Sequence, residues 1–236
     1  MGAIFRRELK AYFTSPIAYI FIAVFYLYTG LYFVNYNLFY ATADMSYTFS
    51  NVFIIMMIML PLITMRLMSE EKRQKTDQCL LTAPVSLFSI VFGKFMAALC
   101  VFLCAMFIYI IFLIALVSLG AVIAWPTVIG SLVGLLLLGA SFISIGIFIS
   151  STTENQVVSA ILSFIINMAF YLIDMIAGNI SFEPAKKVMV ALGFLSKYTE
   201  FSTGILNIGS LIFFISVIFV FSFLTVRVLE KRRWAD

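Results

Sequence analysis

Residues 66–94 read RLMSEEKRQKTDQCLLTAPVSLFSIVFGK and carry eight charges: Arg66, Glu70, Glu71, Lys72, Arg73, Lys75, Asp77 and Lys94. The chain around them is 64% hydrophobic, 17% aromatic and only 11% charged, with a mean hydropathy of +1.13. A soluble domain uses about a quarter charged residues, and a water-soluble fold of 236 residues could not hide this much apolar surface. Lipid must be the solvent, and the charged stretch is a polar interruption between two membrane segments.

A helix crosses the hydrocarbon core with about 20 predominantly apolar residues. Six runs qualify, at 17–36, 49–68, 95–119, 128–150, 157–177 and 205–226. All six are expected to be helices, because backbone polar groups in lipid must be satisfied within the segment. The alternating pattern of a membrane β-barrel is absent. The expected fold is therefore an all-α integral membrane protein with a single six-span domain over residues 1–236.

Lys and Arg set the orientation. With six spans, both termini share a side with the second-to-third and fourth-to-fifth connections, and that side holds twelve of the fifteen cations. Lys186, Lys187 and Lys197 lie opposite. By the positive-inside rule, both termini and the hairpin at 69–93 are cytoplasmic. Arg6, Arg7 and Lys10 precede an apolar run too long for a signal peptide, so the first span is expected to be uncleaved. The three cysteines, Cys79, Cys100 and Cys104, do not form a disulfide framework.

Within the charged stretch, Ser69 is positioned to cap a helix whose first turn carries Glu70 and Glu71. Pro84 ends that piece, and Ser86 starts a second one that runs through Lys94 into the third span. The expected result is a helical hairpin on the membrane surface, its charges facing water. One reading is a solvated loop whose cations only set topology. The other is a docking element, because mixed charge on an exposed helix suits a protein partner.

Other patterns carry two readings each. Tyr28, Tyr32, Tyr36 and Tyr40 repeat every four residues, beside Asn35 and Asn37. They form either an aromatic belt or the wall of an outward-opening substrate path. Asn167 and Asp174 in the fifth span are candidates for the same path, since an intramembrane acid is a functional hypothesis by default. Near the interface, Asp174 could equally be simply hydrated. Met56, Met57, Met59, Met65 and Met68 with Cys100 and Cys104 suggest either soft-metal passage or gap-filling; with no histidine, gap-filling is preferred, and no metal site is assigned. Gly130, Gly134, Gly139 and Gly146 permit close helix approach. Thr153 with Gln156 reads as a capping box for the fifth helix, and Pro61 as a kink in the second. In the outer connection at 178–204, Glu183-Pro184 starts a short interfacial helix with Val188, Leu192 and Leu195 on one face.

Three separated blocks carry a family resemblance. LPLITMRLMSEEKRQKTDQCLLTAPVSLFSIVFGKF (60–95) resembles the segment joining the second and third spans of ABC transporter permeases of the type-2 exporter class. RELKAYFTSPIAYIFIAVFYLYTGLYF (7–33) is similar to that family's opening, and LSKYTEFSTGILNIGSLIFFISVIFVFSFLTVRVLEKRRW (195–234) to its ending. The pattern looks most like the gliding-motility type. Thr76-Asp77-Gln78-Cys79 departs from the usual small or acidic residues after the threonine.

The resemblance implies a plasma-membrane permease of a bacterium, worked by separate ABC ATPase subunits that hold ATP and Mg, and paired with a second permease. The hairpin would be the coupling helix, with Glu70, Glu71, Lys72, Arg73 and Thr76 contacting the ATPase. Residues 1–15 would form an amphipathic helix in the inner interface, and Glu154 in the inner turn is a further candidate contact. An outer-facing accessory protein is another expected partner, and no nucleic acid is.

The chain itself shows no phosphate-cradling loop, since Gly93-Lys94 is followed by Phe95. It is expected to be non-catalytic and to need no cofactor of its own. Two rivals stand beside this reading: an ATP-independent channel or secondary transporter, and a membrane scaffold. A channel usually places ionisable groups near the midplane, and these spans have almost none.

Overall fold

The computed structural model describes residues 2–76, 78, 85–178 and 182–233. Helices are their only regular elements, with no strand among them, and six helical segments are long and apolar enough to cross a membrane. A short helix, α1 (Gly2–Thr14), precedes the first span, α2 (Pro16–Tyr32), which starts with Pro16 in its first turn and runs on as a π-helical segment, Phe33–Leu38. The second span joins α3 (Ser46–Thr64) to α4 (Arg66–Arg73) through Met65. The third joins α5 (Leu87–Met106) to α6 (Ile108–Ser118). The fourth is α7 (Trp125–Thr152) and the fifth α8 (Gln156–Ala177). Two short helices, α9 (Glu183–Leu192) and α10 (Phe194–Ser202), lead to the sixth span, α11 (Ile208–Arg233).

The second and fourth spans form the centre of the bundle, 67% and 72% of their apolar windows being buried, against 17% and 11% for the fifth and sixth. Small residues bring the two central helices together. A Cβ on Gly146 would lie 2.1 Å from Thr64 Oγ1, so only glycine lets α7 approach α3 there.

Several local expectations are corrected. Ser69 does not cap a helix; it lies inside α4, and its hydroxyl donates to the Met65 carbonyl. The helix starts earlier because a side chain from another span caps it. Ser150 Oγ on α7 accepts the N–H groups of Met68 and Ser69, each at 3.0 Å, and donates to the Met65 carbonyl at 2.9 Å. Glu70 and Glu71 consequently sit in the last turns of α4, where the helix dipole disfavours them, and other charges must hold them.

Pro61 lies inside α3, and the second span passes from α3 to α4 at Met65. The fifth helix is capped by Asn155, whose Oδ1 accepts the Val157 N–H at 2.9 Å, while Thr153 Oγ1 points back to the Ile149 carbonyl. Leu195 does not continue α9: Gly193 interrupts it with extended backbone, and Leu195 belongs to α10. The α10 helix pushes Phe194, Tyr198 and Phe201, all fully buried, into the end of the bundle. The turn at Pro84, and with it Asp77 and Cys79, lies outside the described residues.

Candidate functional site

The expected hairpin charges do not all face water. Lys94 is fully buried, seven residues into α5, because its helix begins at Leu87 and places it against the bundle. Its ammonium has three hydrogens to satisfy, and three acceptors surround it: Glu8 Oε1 at 3.0 Å, Glu71 Oε2 at 2.9 Å and the Leu67 carbonyl at 2.6 Å. Arg7 closes the group from the rim, bonding Glu8 Oε1 at 2.7 Å and Glu71 Oε1. Two cations and two anions thus tie α1, α4 and α5 together at one end of the bundle.

Each partner is placed by its own element. Glu8 and Tyr12 share a face of α1, whose apolar residues Ile4, Phe5, Leu9 and Phe13 pack against the protein core. Tyr12 is buried and donates to the Ile63 carbonyl at 2.8 Å, with the Arg66 guanidinium 5.8 Å from its ring. Arg66 reaches Glu70 at 3.4 Å and Ser15 Oγ at 3.0 Å. The α1 helix is therefore fastened at both the Tyr12 and the Glu8 levels.

Burial alone would raise the Glu8 carboxyl, but the Lys94 and Arg7 cations overcome it and hold the group below the usual value of 4.5. A carboxylate depressed in the folded state adds stability above its unfolded pKa and loses it as pH falls through the folded one. The thermal midpoint of the purified chain is accordingly expected to drop as pH falls below about 4.5. In Glu8→Gln that part of the pH dependence should disappear. An unchanged profile in the variant would show that Glu8 is not the group responsible.

Of the five residues expected to meet an ATPase, Glu71 and Lys72 point inward: Glu71 is held by Lys94 and Arg7, and Lys72 is buried. Glu70 is partly exposed beside Arg66. Arg73 and Thr76 are exposed, as are Gln74 and Lys75 between them. This tip is shaped by a Schellman-type ending: Thr76 N–H bonds the Glu71 carbonyl, Lys75 N–H bonds the Lys72 carbonyl, and Lys75 takes a left-handed φ of 56°. In the turn between α7 and α8, Glu154 lies 3.8 Å from Arg232 of α11.

The residues expected on a substrate path fall into three separate places. Tyr28, Tyr32 and Tyr36 form a ladder on the first span with centroids 4.9 and 5.8 Å apart, and Tyr36 stacks on both Tyr40 and Tyr47. Asn35 is exposed and donates to the Leu31 carbonyl of its own helix. Asn37 is buried, holding Thr48 and the carbonyls of Thr42 and Asp44.

Asn167 lies on the fifth span, and the second span packs between that helix and the first. Both polar atoms of Asn167, and the hydroxyls of Ser163 and Ser159 one and two turns along, are buried without a hydrogen-bond partner among the described residues. Asp174 is occupied elsewhere. Its two oxygens accept the Leu195 N–H at 2.7 Å and the Ser196 hydroxyl at 2.8 Å, so it caps α10. A Cβ on Gly193 would meet that carboxylate at 1.9 Å.

Met56, Met57 and Met68 pack in the core, while Cys100 and Cys104 line an apolar groove of about 510 Å³ between the third and fourth spans.

Sequence reasoning missed Glu8 and took Lys94 for a solvated topology charge. One signal was present: a single lysine inside IVFGKFMAAL needs a buried anion, and Glu8 stands on the same face of its helix as the apolar Tyr12.

A family model described as "ABC-2 family transporter protein" matches residues 6–170, which is more than half of the chain. No curated protein matches it.

Proposed function

This chain belongs to the ABC-2 family of transporter proteins, and from that premise we propose that the exposed tip of α4 is where a partner ATPase drives it. The family makes it a multi-pass membrane permease component of an ABC transporter, a transport subunit whose partner is an ABC ATPase. Our reading adds the direction and the route of coupling. The tip faces the cytoplasm of a bacterial plasma membrane, the permease pairs with a second copy or homologue, and transport is export. We read it as nearest the gliding-motility type, on the resemblance of its three sequence blocks.

One observation carries the coupling reading. Arg73 and Thr76 stand exposed at the end of a helix that is bonded to α1, α5 and α7 through Lys94, Arg7 and Ser150. In this reading a push on that tip passes through those contacts to the bases of the second, third and fourth spans. Glu70 lies beside the tip and contributes to the contact. Glu71 and Lys72 act from inside, by holding α4 to the bundle.

The polar face of the fifth span supports a second part of the reading. Unpartnered polar atoms buried in the protein are costly, so a state that hydrates Ser159, Ser163 and Asn167 would recover hydrogen bonds this one lacks. We place the substrate path along that face; the Tyr28, Tyr32 and Tyr36 ladder with Asn35 lies across the second span from it, and Asp174 is a helix cap, so neither belongs to the path.

The test uses the chain reconstituted with its ATPase partner. Arg73→Glu should lower transport per ATP hydrolysed by about tenfold, the scale of losing one charged contact at an interface, while insertion and thermal midpoint stay unchanged. Unaltered coupling in Arg73→Glu would overturn the assignment of the tip. Transport by the chain without any ATPase would favour the channel reading instead.

A further inference from the structure

At the end of the bundle opposite Lys94, a cavity of about 500 Å³ opens between α9, α10 and the start of α11. Its polar lining is of both signs. Lys197 Nζ lies 4.5 Å from the centroid of the Phe213 ring and donates to the Val190 carbonyl at 2.9 Å. Partial burial lowers the Lys197 pKa from its usual value, and no carboxylate among the described residues lies within ion-pair distance of it. One ammonium hydrogen is left for a ligand. On the same wall, Glu200 Oε2 accepts the Ser210 hydroxyl at 2.5 Å, and its second oxygen has no hydrogen-bond partner among the described residues.

The rest of the lining includes the apolar side chains of Val190, Ala191, Ile212 and Phe213. Ile208 and Ile212 are exposed, and with Ile215 and Phe219 they form an apolar strip at i, i+4, i+7 and i+11 of α11. Val188 and Leu192 of α9 are exposed as well. A half-buried cation and a carboxylate at the end of a membrane-length helix, continuing into an apolar strip, match a molecule with a charged head and a hydrocarbon tail.

We propose that this cavity binds the headgroup of a zwitterionic phospholipid, its phosphate on Lys197 and its amine on Glu200, with an acyl chain along Ile208, Ile212, Ile215 and Phe219. A purely anionic headgroup would set a negative charge against Glu200, and a purely cationic one would meet Lys197. The proposal rests on neither the ATPase nor the transport reading, so its failure would leave those untouched.

The experiment is native mass spectrometry of the full chain released from equimolar phosphatidylethanolamine and phosphatidylglycerol bilayers. The wild type should retain phosphatidylethanolamine in preference. Lys197→Gln should weaken retention by about tenfold, the scale of one charge-assisted hydrogen bond, and Lys197→Arg should preserve it. Glu200→Gln should erase the preference between the two lipids. Equal retention of both lipids by the wild type would overturn the proposal without any variant, and so would undiminished retention in Lys197→Gln.

Discussion

Lys94→Met is expected to destabilise the folded chain by on the order of 3–5 kcal/mol, the range for breaking a buried ion pair by removing one partner. The cause is what the substitution leaves behind. Glu8 and Glu71 would then face each other across a site from which Lys94 had excluded water, with only the rim cation Arg7 between them. The Leu67 carbonyl would also lose its donor.

The measurement is the thermal unfolding midpoint in mild detergent, with solubility after membrane extraction as a second readout. A companion variant isolates the cause. Lys94→Met combined with Glu8→Gln and Glu71→Gln removes the uncompensated charge, and it should recover most of the loss, because replacing a whole buried ion network with neutral groups is often close to neutral. If the triple variant is as unstable as the single one, packing of the lysine stem and not charge is responsible. If Lys94→Met is as stable as the wild type, the cluster does not hold α1 to the bundle.

The second large effect has the opposite sign. Asn167→Leu should raise stability by about 1–3 kcal/mol, since it replaces a buried amide whose donor and acceptor both lack partners with an apolar group of similar volume. Few substitutions of a buried polar residue are expected to stabilise, so the sign alone is informative. The same variant should reduce transport in the reconstituted system, because the amide is proposed to be hydrated only when the path opens. Stabilisation with full transport would keep the structural account and remove Asn167 from the path. Destabilisation would mean that the amide has a partner in the folded state.

Much of the architecture was legible from residue order. The six apolar runs correspond to the six membrane-length helices, and Ser86 begins the third-span helix as read, its hydroxyl accepting the Ser89 N–H at 3.3 Å. The glycines of the fourth span mark close approaches, as at Gly146 against Thr64. Helix starts were less legible, because their caps came from unexpected places. Thr153 gave way to Asn155, two residues along the same turn, while the α4 start depends on Ser150 from a helix 81 or 82 positions away.

The candidate site was the least legible part. Lys94 and Glu8 are 86 positions apart, and no periodicity links them. Asp174 looked like an intramembrane acid until α10 was seen folded onto it.

Residue order determined the number and kind of spans, since the thickness of hydrocarbon and the need to satisfy each backbone group within its own segment act on one stretch at a time. Only the tertiary structure decided which charges leave water, because an ion can be buried only where its counter-ion arrives with it. For Lys94 that counter-ion comes from two other helices, and their meeting is set by how the bundle packs.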